Sequence, residues 1–295
     1  MRIAYAYRRD VLYPSHGNDP MACEETRGLF LRQIRDCNFD GIELGLISES
    51  ETQTKDLGKQ LADTGLPCVA VRGEAIDYET YSKPLGSKRQ NFCNFAKWVG
   101  AEIINTIVPL PEAGPSGKEV SRAATVQDLR CAATRIRELA IPASDFGINI
   151  SIEVHQNTIA DTSMAALRLL KLVDQPNVGL NPDLGNVYWA FDTPEESCEE
   201  AILQLAPHAK YWHCKNLHRV YFEDLERSAF IQTSLPDGDV DYRFALAAMI
   251  DANYKGDIAI EGIRLGDQFH QDAKSTAYMK KLLTELGSKR TSTTP

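Results

Sequence analysis

The chain has no long apolar run. No stretch approaches the ~20 apolar residues that a membrane-spanning helix needs. The amino terminus, Met1-Arg-Ile-Ala-Tyr-Ala-Tyr-Arg-Arg, puts charge after a short apolar run, whereas a secretory leader puts it before a longer one. No targeting or membrane segment is therefore expected, and the expected compartment is the cytoplasm. Positive charge is in deficit: 32 Lys and Arg stand against 41 Asp and Glu, a formal net charge of −9. That balance argues against a nucleic-acid partner gripped through its phosphates, while a local basic pocket could still take a small anion. Paired cysteine spacings are missing. The seven cysteines are an odd number and scattered, several in apolar runs, which reads as reduced and mostly buried thiols. No Gly-x-Gly-x-x-Gly follows the first candidate strand, so the main signature of a doubly wound dinucleotide-binding sheet is absent.

What is present is an alternation. Eight short apolar runs, at 2–7, 41–46, 68–72, 102–109, 148–154, 178–181, 210–215 and 257–261, read as strands, most of them rich in Val and Ile. Between them lie helical patterns at 24–37, 52–64, 88–99, 125–139, 164–173, 194–205, 241–252 and 273–286. Pro142 is read as ending the fourth of these, and Thr193 with Pro194 as capping and opening the sixth. Eight strand–helix units at a mean repeat of about 37 residues predict a closed (β/α)8 TIM barrel, a single α/β domain over 1–286 with a frayed polar tail at 287–295. The long loops at 109–121 and 216–239 would stand on the C-terminal face, where barrel active sites are built.

The late strands end on groups that bind metals. Glu153, Asp183, His213 and Glu261 close four successive strands at intervals of 30, 30 and 48 residues. A lone carboxylate at a strand end is usually just solvated. Four in succession converge on one mouth and form an oxygen-rich site with one imidazole. Such a set suits one divalent ion, Mn²⁺ first and then Mg²⁺ or Co²⁺, better than a structural zinc.

These segments resemble the xylose isomerase-like barrels, the sugar phosphate isomerase/epimerase superfamily. The carriers are Gly41-Ile-Glu-Leu, Ser151-Ile-Glu-Val-His155, Asn177-Val-Gly-Leu-Asn-Pro-Asp-Leu-Gly-Asn186, Trp212-His-Cys-Lys-Asn216 and Ile258-Ala-Ile-Glu261. The resemblance spans roughly residues 1–285. It implies metal ligation by Glu153, Asp183, His213 and Glu261, proton transfer by Glu153 and Glu261, and substrate binding by Arg219. The implied reaction is isomerisation or epimerisation of a small keto sugar or sugar acid through a metal-stabilised enediolate. Superfamily members are often dimers or tetramers, so by analogy a homo-oligomer is compatible. Three departures stand out: Asn186 replaces a usual histidine, Ile159 a glutamate of the epimerases, and Asn216 a usual aspartate. They weaken the case for a plain ketose epimerase and point to a relative with a different substrate around the same metal. A lyase or decarboxylase of an oxo sugar acid, or C-glycoside cleavage, is the alternative.

Further candidates surround this set. His155 leaves the strand on the same side as Glu153, either as a general base or as a loop histidine bonded to backbone. Arg72, Arg219 and Arg264 would bind an acidic substrate if they face the mouth; otherwise they are solvated or paired with Asp and Glu. Glu43, Asn186 and Lys215 are further candidates for substrate contact, and Glu43 could instead hold an arginine. Tyr5, Tyr7, Trp189 and Trp212 wall the pocket or belong to the core. A DNA-repair barrel of the endonuclease IV type would need a basic groove and more histidine than the six present. A non-catalytic barrel subunit would not need all four strand-end ligands.

Overall fold

The computed structural model describes residues 1–7, 21, 24–46, 48, 50–73, 87–109, 120–189, 195–263 and 266–291. Eight parallel strands form a nearly closed barrel: β1 (Ile3–Ala6), β2 (Gly41–Gly45), β3 (Cys68–Arg72), β4 (Ile103–Thr106), β5 (Asn149–Glu153), β6 (Val178–Asn181), β7 (Trp212–Cys214) and, after a hairpin, β10 (Ile258–Glu261). The ladder runs β6-β5-β4-β3-β2-β1-β10-β7. The helices between the strands are α1 (Glu24–Asp36), α2 (Glu51–Asp63), α3 (Ser87–Val99), the short α4 (Val120–Ala123), α5 (Val126–Ser144), α6 (Ser163–Val173), α7 (Leu184–Trp189), α8 (Cys198–Leu205), α9 (Tyr242–Asp251) and α10 (Gln268–Thr291). The chain is a single (β/α)8 TIM barrel.

The strand pleat sorts the sequence into two layers. Ile3, Tyr5, Ile258 and Ile260 point to the helices, where Tyr5 meets Phe30 and Phe39 edge-on at 5.9 and 5.3 Å. Alternate residues face the barrel axis. Ala4, Ala6, Ala70, Ile103, Tyr211 and Ala259 belong to a second cluster there, together with Val69. Small residues leave room at the axis for the polar side chains that the same alternation adds one pleat higher: Glu43, Arg72, Asn105, Glu153, Asn181, His213 and Glu261.

The seam lies between β6 and β7. Only an isolated bridge, Leu180 to Ala209, joins them, with Lys210 N–H bonding to the Leu180 carbonyl at 2.9 Å. One step further the Asn181 side-chain carbonyl accepts the His213 backbone N–H at 2.6 Å. A side chain thus takes over where the ladder stops, and it fixes the height of His213.

Several boundaries differ from the sequence reading. α5 runs two residues beyond Pro142. Pro142 removes the single bond its N–H would make four residues back, and with only two helical residues after it little helix is left to distort. α8 starts at Cys198 behind a Ser197–Glu200 capping box, not at Pro194. Thr193 and Pro194 lie outside the described residues. Glu196 is used elsewhere: its carboxylate accepts the Ser163 N–H at 2.7 Å and the Ser163 hydroxyl at the start of α6. α10 begins five residues before 273 and continues through Gly287 to Thr291. The expected loop at 216–239 contains an antiparallel hairpin, β8 (Asn216–Phe222) with β9 (Arg227–Thr233). Six cysteines are described; all are free and five are buried.

Candidate metal centre and the mouth of the barrel

Glu153, Asp183, His213 and Glu261 each offer one ligand atom, and these atoms lie within 4.8 Å of one another. All four residues are buried. Glu153 and Glu261 end β5 and β10, and His213 is the middle residue of β7. Asp183 stands just before α7, where Oδ1 accepts the Asn186 N–H at 3.3 Å as an N-cap does. Gly185 lets α7 close over Lys215, because a Cβ there would fall 2.3 Å from Lys215 Cγ.

The histidine is oriented from behind. His213 Nε2 lies 2.6 Å from Glu43 Oε2, which can only accept, so Nε2 carries a proton. Nδ1 is buried without a hydrogen-bond partner, 3.4 Å from Glu153 Oε2 and 3.6 Å from Glu261 Oε1. Metal-bound histidines are commonly held this way, one ring N–H fixed by a carboxylate so that the other nitrogen points at the ion. Charge agrees. Glu43, Glu153, Asp183 and Glu261 face two cations, Arg72 and Lys215. With a neutral imidazole the excess is two negative charges, that of one divalent ion. The residues fit the ion.

Without an ion the imbalance appears in the titrations. Burial opposes charge on His213, but Glu43 and Glu153 outweigh it and raise the imidazole to about 10. Burial also opposes ionisation of Glu43 and Glu153. His213 and Arg72 nonetheless hold Glu43 below the usual carboxylate range, and His213 does the same for Glu153. Asp183 goes the other way: burial, reinforced by Glu261 and Glu153, pushes it up despite Lys215.

The remaining candidates divide into three groups. Arg72, Lys215 and Glu43 belong to the cluster. Arg72 Nε donates to Glu43 Oε1 at 2.9 Å, and Arg72 Nη2 lies 3.5 Å from Glu261 Oε1. Lys215 Nζ bridges Asp183 Oδ2 at 2.9 Å and Glu261 Oε2 at 3.0 Å. Asn186 sits beneath the mouth, its Nδ2 3.0 Å from Glu153 Oε1 and from Asp183 Oδ2. His155 lines the mouth. Its Nδ1 donates to the Gln156 carbonyl at 2.6 Å, so the proton of this contact sits on Nδ1. Arg219 is on the hairpin, donating from Nε to Ser228 at 2.6 Å and from its backbone N–H to Asp239 at 2.8 Å; it is not among the residues lining the mouth. Arg264 lies outside the described residues. Of the four aromatic candidates Trp189 lines the mouth, while Tyr5, Tyr7 and Trp212 are core.

The sequence reading missed two asparagines. Asn105 Nδ2 donates to Glu153 Oε2 at 2.8 Å, and Asn181 Nδ2 donates to Asn105 Oδ1 at 3.1 Å. The signal was there: an asparagine at an axis-facing position of an otherwise apolar strand, in Ile103–Thr106 and in Val178–Asn181. Asn216 has a structural use. It accepts from Leu217 N and Val240 N and donates to the Leu235 and Val240 carbonyls, all within 3.0 Å, which ties the base of the hairpin.

Above the cluster opens a cleft of about 760 Å³. Its floor and sides include Glu153, Glu261, Lys215, Arg72, Asn105 and His155.

Eight parallel strands around one polar floor define the class as a TIM barrel with a buried cluster of Glu, Asp and His that could hold a metal. The sequence profile of the xylose isomerase-like TIM barrel matches residues 31–282, and the chain belongs to that family. It is similar to a ketose 3-epimerase of Arthrobacter globiformis, 25% identical over 236 residues that cover 78% of this chain and 75% of that protein. It is also similar to a 3-dehydroshikimate dehydratase of Bacillus anthracis, 28% identical over 190 residues, 61% of this chain and 62% of that protein. A xylose isomerase-like TIM barrel protein from Mycobacterium smegmatis, solved in complex with magnesium, shares the fold with a TM-score of 0.78 at 24% identity, covering 97% of each chain. Among the described residues no helix is long and apolar enough to cross a membrane.

Proposed function

We propose that the protein is a divalent-metal-dependent enzyme that moves a proton on a small keto sugar or sugar acid. The observation that carries this reading is the buried Nδ1 of His213, without a hydrogen-bond partner, among three carboxylates, two of which, Glu153 and Glu261, line an open cleft. Glu153, Asp183, His213 and Glu261 would hold the ion, with Mn²⁺ preferred and Mg²⁺ or Co²⁺ alternatives for an oxygen-rich set. When bound, the ion would polarise a carbonyl and its neighbouring hydroxyl and so acidify the C–H between them.

The chain's own groups do the rest. Glu153 and Glu261 both reach the cleft and are the candidates to take and return the proton, which gives isomerisation or epimerisation. Asn105 and Asn186 orient the Glu153 carboxylate. Lys215 and Arg72 keep positive charge beside the developing oxyanion. The relation to a ketose 3-epimerase supports this reading.

A second reading is elimination or cleavage. His155 favours it: a second imidazole, held through Nδ1 by the Gln156 carbonyl, lines the same cleft two residues beyond Glu153. The relation to a dehydratase agrees with it. The free, mostly buried thiols suit a reducing cytoplasm.

The test is deuterium uptake. Metal-loaded protein is incubated in D₂O with a panel of keto sugars and oxo sugar acids. Deuterium at the carbon next to the carbonyl, absent with Glu153→Gln, supports proton transfer. A product lighter by water or carbon dioxide selects the second reading. No exchange and no new product across the panel would sink both.

A further inference from the structure

The cleft is two-faced. Its floor carries the carboxylates, Lys215, Asn105 and His155, whereas its outer wall is Trp189, Phe230 and Ile231. The wall comes from the end of α7 and from β9, a hairpin strand outside the barrel ladder. Trp189 and Ile231 are 39% and 48% exposed, and with Phe230 they form one contiguous apolar wall beside the polar floor. The wall is also ordered. Trp189 and Phe230 have ring centroids 6.4 Å apart and are tilted by 38°. Tyr188 meets Phe230 edge-on at 5.9 Å, and its hydroxyl donates to Asp239 at 2.8 Å. Asp239 also accepts the Arg219 backbone N–H, so the platform is braced at both ends.

Size separates two kinds of substrate. A cleft of about 760 Å³ is of the size that encloses drug-sized ligands. A free hexose has only about twelve non-hydrogen atoms, most of its surface is hydroxyl, and if it reached the floor it would leave the apolar wall wet.

We propose that the substrate is a ketoglycoside: a sugar ring bearing a ketone beside a free hydroxyl, which reaches the floor, joined to an aromatic or extended apolar aglycone that lies against Trp189, Phe230 and Ile231. This rests on the metal-enzyme reading and narrows its substrate class. The aglycone supplies binding away from the reacting carbon, and the aromatic wall orients the sugar over Glu153.

The experiment is calorimetric titration of Mn²⁺-loaded protein with three probes. Two share one ketone-bearing pyranose ring and carry either methyl or phenyl on the anomeric oxygen; the third is a free ketohexose. The phenyl compound should bind about tenfold tighter than the methyl one. Trp189→Ala and Phe230→Leu should each remove most of that preference while leaving methyl-glycoside affinity within about twofold, which a general loss of structure would not do. Equal affinity for phenyl and methyl, or a preference unchanged in both variants, overturns the aglycone proposal and leaves the sugar-enzyme reading standing. If none of the three probes binds, the aglycone proposal falls together with the keto-sugar half of the reading it rests on.

Discussion

Glu153 and Glu261 are the same residue type at matching heights of one barrel and are almost equally buried, at 5% and 6% exposure, yet they are held in opposite ways. Glu153 sits between two neutral amides, Asn105 Nδ2 at 2.8 Å and Asn186 Nδ2 at 3.0 Å. Glu261 sits between two cations, Lys215 Nζ at 3.0 Å and Arg72 Nη2 at 3.5 Å. Amides give direction without charge. Cations offset charge and constrain direction less. The His213 ring faces both carboxylates, at 3.4 and 3.6 Å, so the difference lies in the added partners: amides orient Glu153 and cations balance Glu261, and the two sides should fail differently.

The largest difference should come from removing a cation. Lys215→Met leaves Asp183 and Glu261 buried without their shared ammonium, and breaking such a contact costs about 3–5 kcal/mol. Chemical denaturation of the metal-free protein measures it, and excess divalent ion should restore much of the loss. Next is the ion itself. At a hundredfold excess over its Kd it should stabilise the wild type by about 2.7 kcal/mol. The gain should shrink sharply in Asp183→Asn, as thermal melts with and without chelator would report.

The pH dependence comes third. His213, raised to about 10 from 6.5, is protonated at neutral pH in the metal-free protein. Its folded value lies above its unfolded one, so the stability it draws from Glu43 and Glu153 is fully present below about pH 6.5 and is lost as pH rises through about 10. An ion at Nδ1 must displace that proton. Apparent metal affinity should therefore climb about tenfold per pH unit across that window, about 1.4 kcal/mol each. An affinity flat with pH would remove His213 from the ligand set.

Smaller still is the loss of an amide. Asn105→Ala should cost about 1–2 kcal/mol. If it costs as much as Lys215→Met, the contrast between the two sides is wrong. Smallest of all, Arg219→Ala on the hairpin should change stability by less than about 0.5 kcal/mol and leave metal affinity unchanged.

The legibility of the site follows from the same physics. The barrel strands are short apolar runs between helical patterns, and a charged or imidazole residue at the end of such a run is conspicuous. Glu153, Asp183, His213 and Glu261 could therefore be read from sequence as one group, and the structure brings their ligand atoms together. Asn105 and Asn181 carry no charge and match no ligand motif, so their use as props became visible only once the axis-facing register was known. The hairpin escaped because Val220, Tyr221 and Phe222 are consecutive apolar residues that are all exposed, so β8 shows no apolar-polar alternation to read. α7, at six residues, is shorter than two helical turns and leaves no period either. Pro142 misled because a breaker in the last turn looks the same in sequence as a breaker before it.

The central claim is that Glu153, Asp183, His213 and Glu261 would together hold one divalent ion, with His213 Nδ1 as the nitrogen ligand. Calorimetric titration of chelator-treated protein with Mn²⁺, run in parallel on wild type and Glu153→Gln, tests it most directly. The account predicts one ion per chain in the wild type and an affinity at least about a hundredfold weaker in the variant. No binding by the wild type, or equal binding by both, would contradict it.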